Sequence, residues 1–137
     1  MEVNSLKTNE RIAALEDKGA TILWTNLNPD QEFSSQIITL SSDDYDFLDI
    51  YALGITGSVY MFHTRLLRGC STVLWQPIGE GEGGQIGYRM RNFNWYDSHS
   101  TFSVGNGLMK LAGTSTAAVI GNNVMVPVRI YGIKSMK

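Results

Sequence analysis

The sequence predicts a mainly β protein, an antiparallel β-sandwich of jelly-roll-like character preceded by a short N-terminal helix, and three observations carry that prediction. Beyond residue 19, β-branched and aromatic residues fall in short runs separated by Gly, Asn, Asp, Ser and Pro. No later segment combines helix length with a 3.6-residue apolar period. Hydrophobic residues make up 43% of the 137 and Gly contributes 14, enough for a core with tight turns, while a charged fraction of 18% leaves few charges to cover exposed surface. That shortage favours hiding some surface against copies of the same chain.

Residues 1–18 form the expected helix. Between Val3 and Asp17 there is no Gly or Pro, and Gly19 stops the run. Ile12 and Leu15 stand three apart, as a and d positions of a heptad do, although Ser5 and Thr8 continue that register and Val3, Leu6 and Ala13 follow a competing one. A helix of this length is marginal alone in water. It packs on neighbouring helices, docks on its own β-domain, or frays; for the first, Leu6, Ile12 and Leu15 are the candidate oligomerisation residues. Residues 19–137 are expected to form one β-domain.

Ten strands are expected within that domain, at residues 21–24, 35–40, 47–53, 59–67, 71–76, 85–94, 101–105, 108–111, 116–120 and 126–134. The segment around Asn28-Pro29-Asp30 and that of Ser41-Ser42-Asp43-Asp44 are loops. Gly105-Asn106-Gly107 reads as a hairpin turn with positive φ at Asn106 and Gly107, and Gly121-Asn122-Asn123 as a similar turn. In the 47–53 strand, Phe47 and Tyr51 alternate with Leu48 and Ile50. The last strand is strongly apolar and expected to be central, with Pro127 at its beginning, where a missing N–H does least harm.

Motifs that would carry chemistry fail in their contexts. Gly79-Glu80-Gly81-Glu82-Gly83-Gly84 matches G-x-G-x-x-G, but a strand follows instead of a helix N-terminus, and its two glutamates would repel phosphate; it reads as an exposed loop. The acidic run Asp43-Asp44-Tyr45-Asp46 with Asp49 lacks the spacing of a calcium loop. His63 and His99 are the two histidines, 36 residues apart, with no metal-ligand spacing around either. His63 reads as a strand residue facing solvent or a polar partner. Asp97, His99 and Ser100 share one turn and cannot assemble a hydrolytic triad from it. Cys70 is the sole cysteine and reads as a small buried or half-buried thiol. No catalytic residue, metal or cofactor is expected, and the chain is read as no enzyme.

With a net charge of −2 and eleven scattered Lys and Arg, no footprint for nucleic acid appears. Seven charged residues within the first twenty exclude a secretory h-region, and no apolar run reaches 18 residues, so no membrane insertion is expected. The most suggestive stretch is Phe93-Asn94-Trp95-Tyr96-Asp97-Ser98-His99, where ring faces and hydrogen-bonding groups adjoin as in sugar-binding sites. Trp95, Tyr96, Asp97 and His99 are therefore the candidate ligand-binding residues, against the alternative that Trp95 or Phe93 fills the core. Trp24 and Trp75 are expected in the core or at a subunit interface.

The leader ending Arg11-Ile12-Ala13-Ala14-Leu15-Glu16, the segments Leu23-Trp24-Thr25-Asn26-Leu27-Asn28-Pro29 and Phe33-Ser34-Ser35-Gln36-Ile37-Ile38-Thr39-Leu40, and the terminal Val126-Pro127-Val128-Arg129-Ile130-Tyr131-Gly132-Ile133-Lys134 resemble small tail proteins of phages and prophages, the receptor-binding or tail-fibre tip kind. The resemblance implies a homotrimer whose N-terminal coiled coil joins other tail proteins and whose β-sandwich head binds a host cell-surface glycan or protein. It implies a place in the virion for a chain made in the bacterial cytoplasm. The alternatives are a structural tail protein without receptor binding and a glycan-cleaving tail enzyme.

Overall fold

The computed structural model describes residues 20–80, 86–96, 101–111 and 118–134. The expected helix, with Leu6, Ile12 and Leu15, lies outside the described residues. Within them, each of the ten expected strand segments contains a strand: β1 (Ala20–Thr25), β2 (Gln36–Thr39), β3 (Phe47–Ile55), β4 (Met61–Leu67), β5 (Ser71–Glu80), β6 (Ile86–Trp95), β7 (Thr101–Val104), β8 (Leu108–Lys110), β9 (Val119–Ile120) and β10 (Val124–Ile133). All the pairings are antiparallel.

Two sheets result. Sheet A has the order β1-β10-β3-β4, which makes the apolar last strand central, as its composition predicts. Sheet B is built on β6. One edge of β6 pairs with β5; the other pairs with β7 opposite Phe93–Trp95 and with β8 opposite Tyr88–Met90, and β2 and β9 extend β7 and β8. Leu48 and Ile50 of sheet A and Phe93, Trp95 and Phe102 of sheet B share one buried core. Each such side chain contributes about 1.5 to 3 kcal/mol by leaving water.

Several turns differ from expectation. Gly105-Asn106-Gly107 is not a hairpin turn, because β7 and β8 lie end to end along one edge of β6 instead of pairing with each other. Neither Asn106 nor Gly107 has positive φ. Gly107 is needed for closeness: a Cβ there would lie 2.4 Å from the Gly121 carbonyl oxygen and 2.8 Å from Arg91 Nη2. Asn106 Oδ1 accepts from Ser35 N at 3.0 Å. Gly121-Asn122-Asn123 closes a turn through Val124 N to Gly121 O, but it carries the chain from sheet B to sheet A instead of closing a hairpin. Pro127 is the fourth residue of β10, not the first, and sits at a bulge where a lost ladder bond is tolerated. Strand β5 continues through Gly79 to Glu80, which pairs with Ile86, so the glycine-rich run begins as strand; residues 81–85 lie outside the described ones. Cys70 is exposed, not buried.

The two sheets are tied together by Arg91. It is fully buried, and nothing in the local sequence marks it as such. Its guanidinium donates five hydrogen bonds to four backbone carbonyls: to Phe33 and Gly105 at 2.8 Å each, to Asn122 at 3.2 Å, and twice to Val124 at 2.9 and 3.2 Å. Burial lowers its pKa to about 10, which leaves it cationic at neutral pH. The carbonyl dipoles compensate that buried charge in place of a carboxylate.

Candidate functional site

Three strands of sheet A each carry two polar or aromatic residues two positions apart: Asp49 and Tyr51 on β3, His63 and Arg65 on β4, Arg129 and Tyr131 on β10. In a strand such residues share a face. The pairing aligns them into rungs, Thr25-Arg129-Tyr51-His63 and Ile22-Tyr131-Asp49-Arg65, followed by Ala20-Ile133-Phe47-Leu67. Leu48 and Ile50 fill the core on the opposite face.

The bulge at Val128 makes this alignment possible. Pro127 pairs with Ala52 and Arg129 with Tyr51, leaving Val128 as the extra residue. Without it, Val128 would face Tyr51 and Arg129 would face Ile50, so Arg129 and Tyr131 would turn toward the core. One inserted residue thus moves a cation and a phenol to the outer face.

There the side chains border a groove of about 390 Å³, lined by Asp49, Tyr51, Arg129 and Tyr131 with Met61 and Val128 among its apolar walls. That volume lies within the range of small-ligand sites. The Tyr51 and Tyr131 rings meet edge to face at 5.6 Å, and Tyr51 stacks on His63 at 4.6 Å. Arg65 holds Asp49 bidentately, Nε to Oδ1 at 2.7 Å and Nη2 to Oδ2 at 2.9 Å, while His63 Nε2 lies 3.4 Å from Oδ1. Arg129 Nη1 donates to Tyr131 Oη at 3.2 Å.

Burial pushes the Asp49 carboxyl upward, but the hydrogen bonds and charge of Arg65, helped by His63, outweigh it and hold the pKa below the usual carboxylate value. The Tyr51 phenol is raised, by burial first and by the Asp49 charge second. Asp49 therefore stays ionised at neutral pH and is a poor proton donor. It is also the only carboxylate among the described residues lining the groove, whereas glycosidic cleavage ordinarily uses two.

Of the residues expected to bind ligand, the two that are described, Trp95 and Tyr96, do not line the groove. Trp95 is 1% exposed, its Nε1 donates to Ser42 Oγ at 3.3 Å, and the Arg68 guanidinium covers its ring at 4.4 Å. Its indole has no face for a sugar: the alternation of β6 that buries Phe93 and Arg91 points Trp95 the same way. Arg68 also holds the acidic 41–46 loop over this ring through the Ser42 and Tyr45 carbonyls. Tyr96 is 51% exposed but directly follows β6 of sheet B and is not among the residues that line the groove. Asp97 and His99 lie outside the described residues. His63, read as a strand residue facing solvent or a polar partner, joins the Asp49 cluster. Among the described residues no three His, Cys, Asp or Glu side chains converge as metal ligands. Trp24 packs on the core edge-on to Phe33 at 5.8 Å, whereas Trp75 is half exposed beside Tyr88 on the outer face of sheet B.

What the sequence reading missed was the repeated polar-x-polar pair inside apolar strands, a signal present in Asp49-x-Tyr51, His63-x-Arg65 and Arg129-x-Tyr131. Comparison of the chain with protein-family models, with curated proteins and with solved structures found no match.

Proposed function

We propose that this chain is a phage tail-associated receptor-binding protein whose β-sandwich head, jelly-roll-like and trimeric on an N-terminal coiled coil, recognises a cell-surface glycan through the outer groove of sheet A. The observation that carries the reading is the groove itself, in which two tyrosine rings and fixed charged groups surround a space of about 390 Å³. Ring faces take the apolar side of a sugar, and Arg, Asp and phenol groups take its hydroxyls. Such sites are weak singly, and three on one rigid body gain affinity by avidity. The protein would then reside in the virion, joined to other tail proteins.

Whole-cell binding and glycan binding by the purified full chain test this. Tyr131→Ala and Tyr51→Ala are expected to weaken binding at least tenfold, about 1.4 kcal/mol. Wild-type protein that binds neither cells nor glycans overturns the reading.

A second reading, a structural tail component without receptor binding, draws on the outer face of sheet B. Val73, Trp75, Ile86 and Ile120 are each about half exposed or more there, an apolar surface suited to packing against another protein. Substituting Trp75→Ser and Ile120→Ser separates the two readings: loss of assembly with cell binding by the remaining subunits favours the first, and loss of assembly in a protein that never bound cells favours the second.

A further inference from the structure

The charges of the groove do not balance. Asp49 is matched by Arg65, which engages both of its oxygens. Among the described residues no carboxylate stands within ion-pair distance of Arg129. Among the described residues its side chain donates to the Tyr131 hydroxyl, and its Nε is buried without a partner. A guanidinium offers planar N–H pairs that match a carboxylate or phosphate. A sugar hydroxyl can accept from this guanidinium, but a carboxylate or phosphate makes charge-assisted hydrogen bonds roughly twice as strong, so the groove favours an anionic ligand over its neutral counterpart. Tyr131 and Tyr51 flank that cation with ring surface.

We infer that the groove takes an acidic sugar, its carboxylate or phosphate group on Arg129 and its ring against the tyrosines. This rests on the glycan-binding reading above and specifies its ligand class. The test is an array of matched oligosaccharides, uronate-bearing members beside their methyl esters and phosphate-bearing members beside their dephosphorylated forms, probed with the full chain. The acidic member of one series is expected to bind at least tenfold more tightly than its neutral partner, and which series does so identifies the anion. Arg129→Gln is expected to abolish that preference and Arg129→Lys to restore part of it. Equal binding of acidic and neutral members, or a preference unchanged in Arg129→Gln, overturns the inference; if such binding still disappears in Tyr131→Ala, the glycan reading survives without it. Binding to no member also overturns it, and cell binding by the same preparation then decides whether a receptor-binding protein remains. Should Arg129→Gln fail to fold by circular dichroism, the acidic-against-neutral comparison on the wild type decides alone.

Discussion

Arg91 donates two hydrogen bonds to the carbonyl of Val124, so the middle of sheet B is anchored to the first residue of the strand at the centre of sheet A. The same guanidinium reaches the carbonyls of Phe33, Gly105 and Asn122, three connecting segments that have no shared ladder to hold them. The Asn122 carbonyl also accepts from Phe33 N at 2.9 Å, so the arginine matters most to the carbonyls of Phe33, Gly105 and Val124. Arg91→Met is expected to cost about 3 kcal/mol or more, since each buried carbonyl left unsatisfied costs about 1 to 3 kcal/mol. Arg91→Lys keeps a charge but not the planar fork and should fall between the two. Urea denaturation midpoints check this, and a loss below about 1 kcal/mol for Arg91→Met would show that water replaces the guanidinium.

Gly107 is the closest approach around this node. An alanine Cβ would overlap the Gly121 carbonyl oxygen, a backbone atom that cannot swing aside. Gly121 N also donates to the Gly107 carbonyl at 2.7 Å, which fixes the two segments together. Gly107→Ala is expected to destabilise by about 1 to 3 kcal/mol, the range for overpacking. Because φ at Gly107 is not positive, Gly107→Asn should fare no better, whereas a true positive-φ turn would tolerate Asn. Thermal melting of the two variants makes the comparison.

Asp49 gives the fold an acid-sensitive contribution. Its folded-state pKa is depressed below 3.8, so the stabilisation is fully present above that value and disappears as pH falls through the lower folded-state pKa. Arg65 is half exposed, so the pair is partly screened and worth about 1 to 2 kcal/mol. Asp49→Asn should lose this at pH 7 and show a shallower decline of melting temperature below pH 4 than wild type. Parallel wild-type and variant curves there would assign the acid sensitivity to other carboxylates.

For the leader, Ile12→Asp with Leu15→Asp is expected to weaken assembly, at about 1.5 to 3 kcal/mol for each apolar side chain no longer buried. Light scattering on the full chain reads this directly. A monomeric wild-type chain would overturn the trimer, and an unchanged trimer in the double variant would assign its cohesion to the β-domain.

Strand positions were legible because they depend on local preference. The runs of Val, Ile, Tyr and Thr, and the Gly, Asn and Asp between them, act within a few residues, and the alternation of Phe47 and Tyr51 with Leu48 and Ile50 pointed to a strand with substantial burial. The reading of Phe93 and Trp95 allowed for a core role as well as a binding one, and burial decided it.

Partnership was not legible, because it depends on which strands become neighbours. Asp49 and His63 meet across the local β3–β4 pairing, but Tyr131, 82 residues from Asp49, joins them only because β10 inserts between β1 and β3. The extra residue at Val128 then sets the parity that turns Arg129 and Tyr131 outward. Arg91 is likewise one arginine among eleven Lys and Arg until the sheets close over it. Residue type and spacing along one strand determined the strands and their faces. Pairing order and one bulge, consequences of burying both sheets around a single core, decided which side chains form the groove.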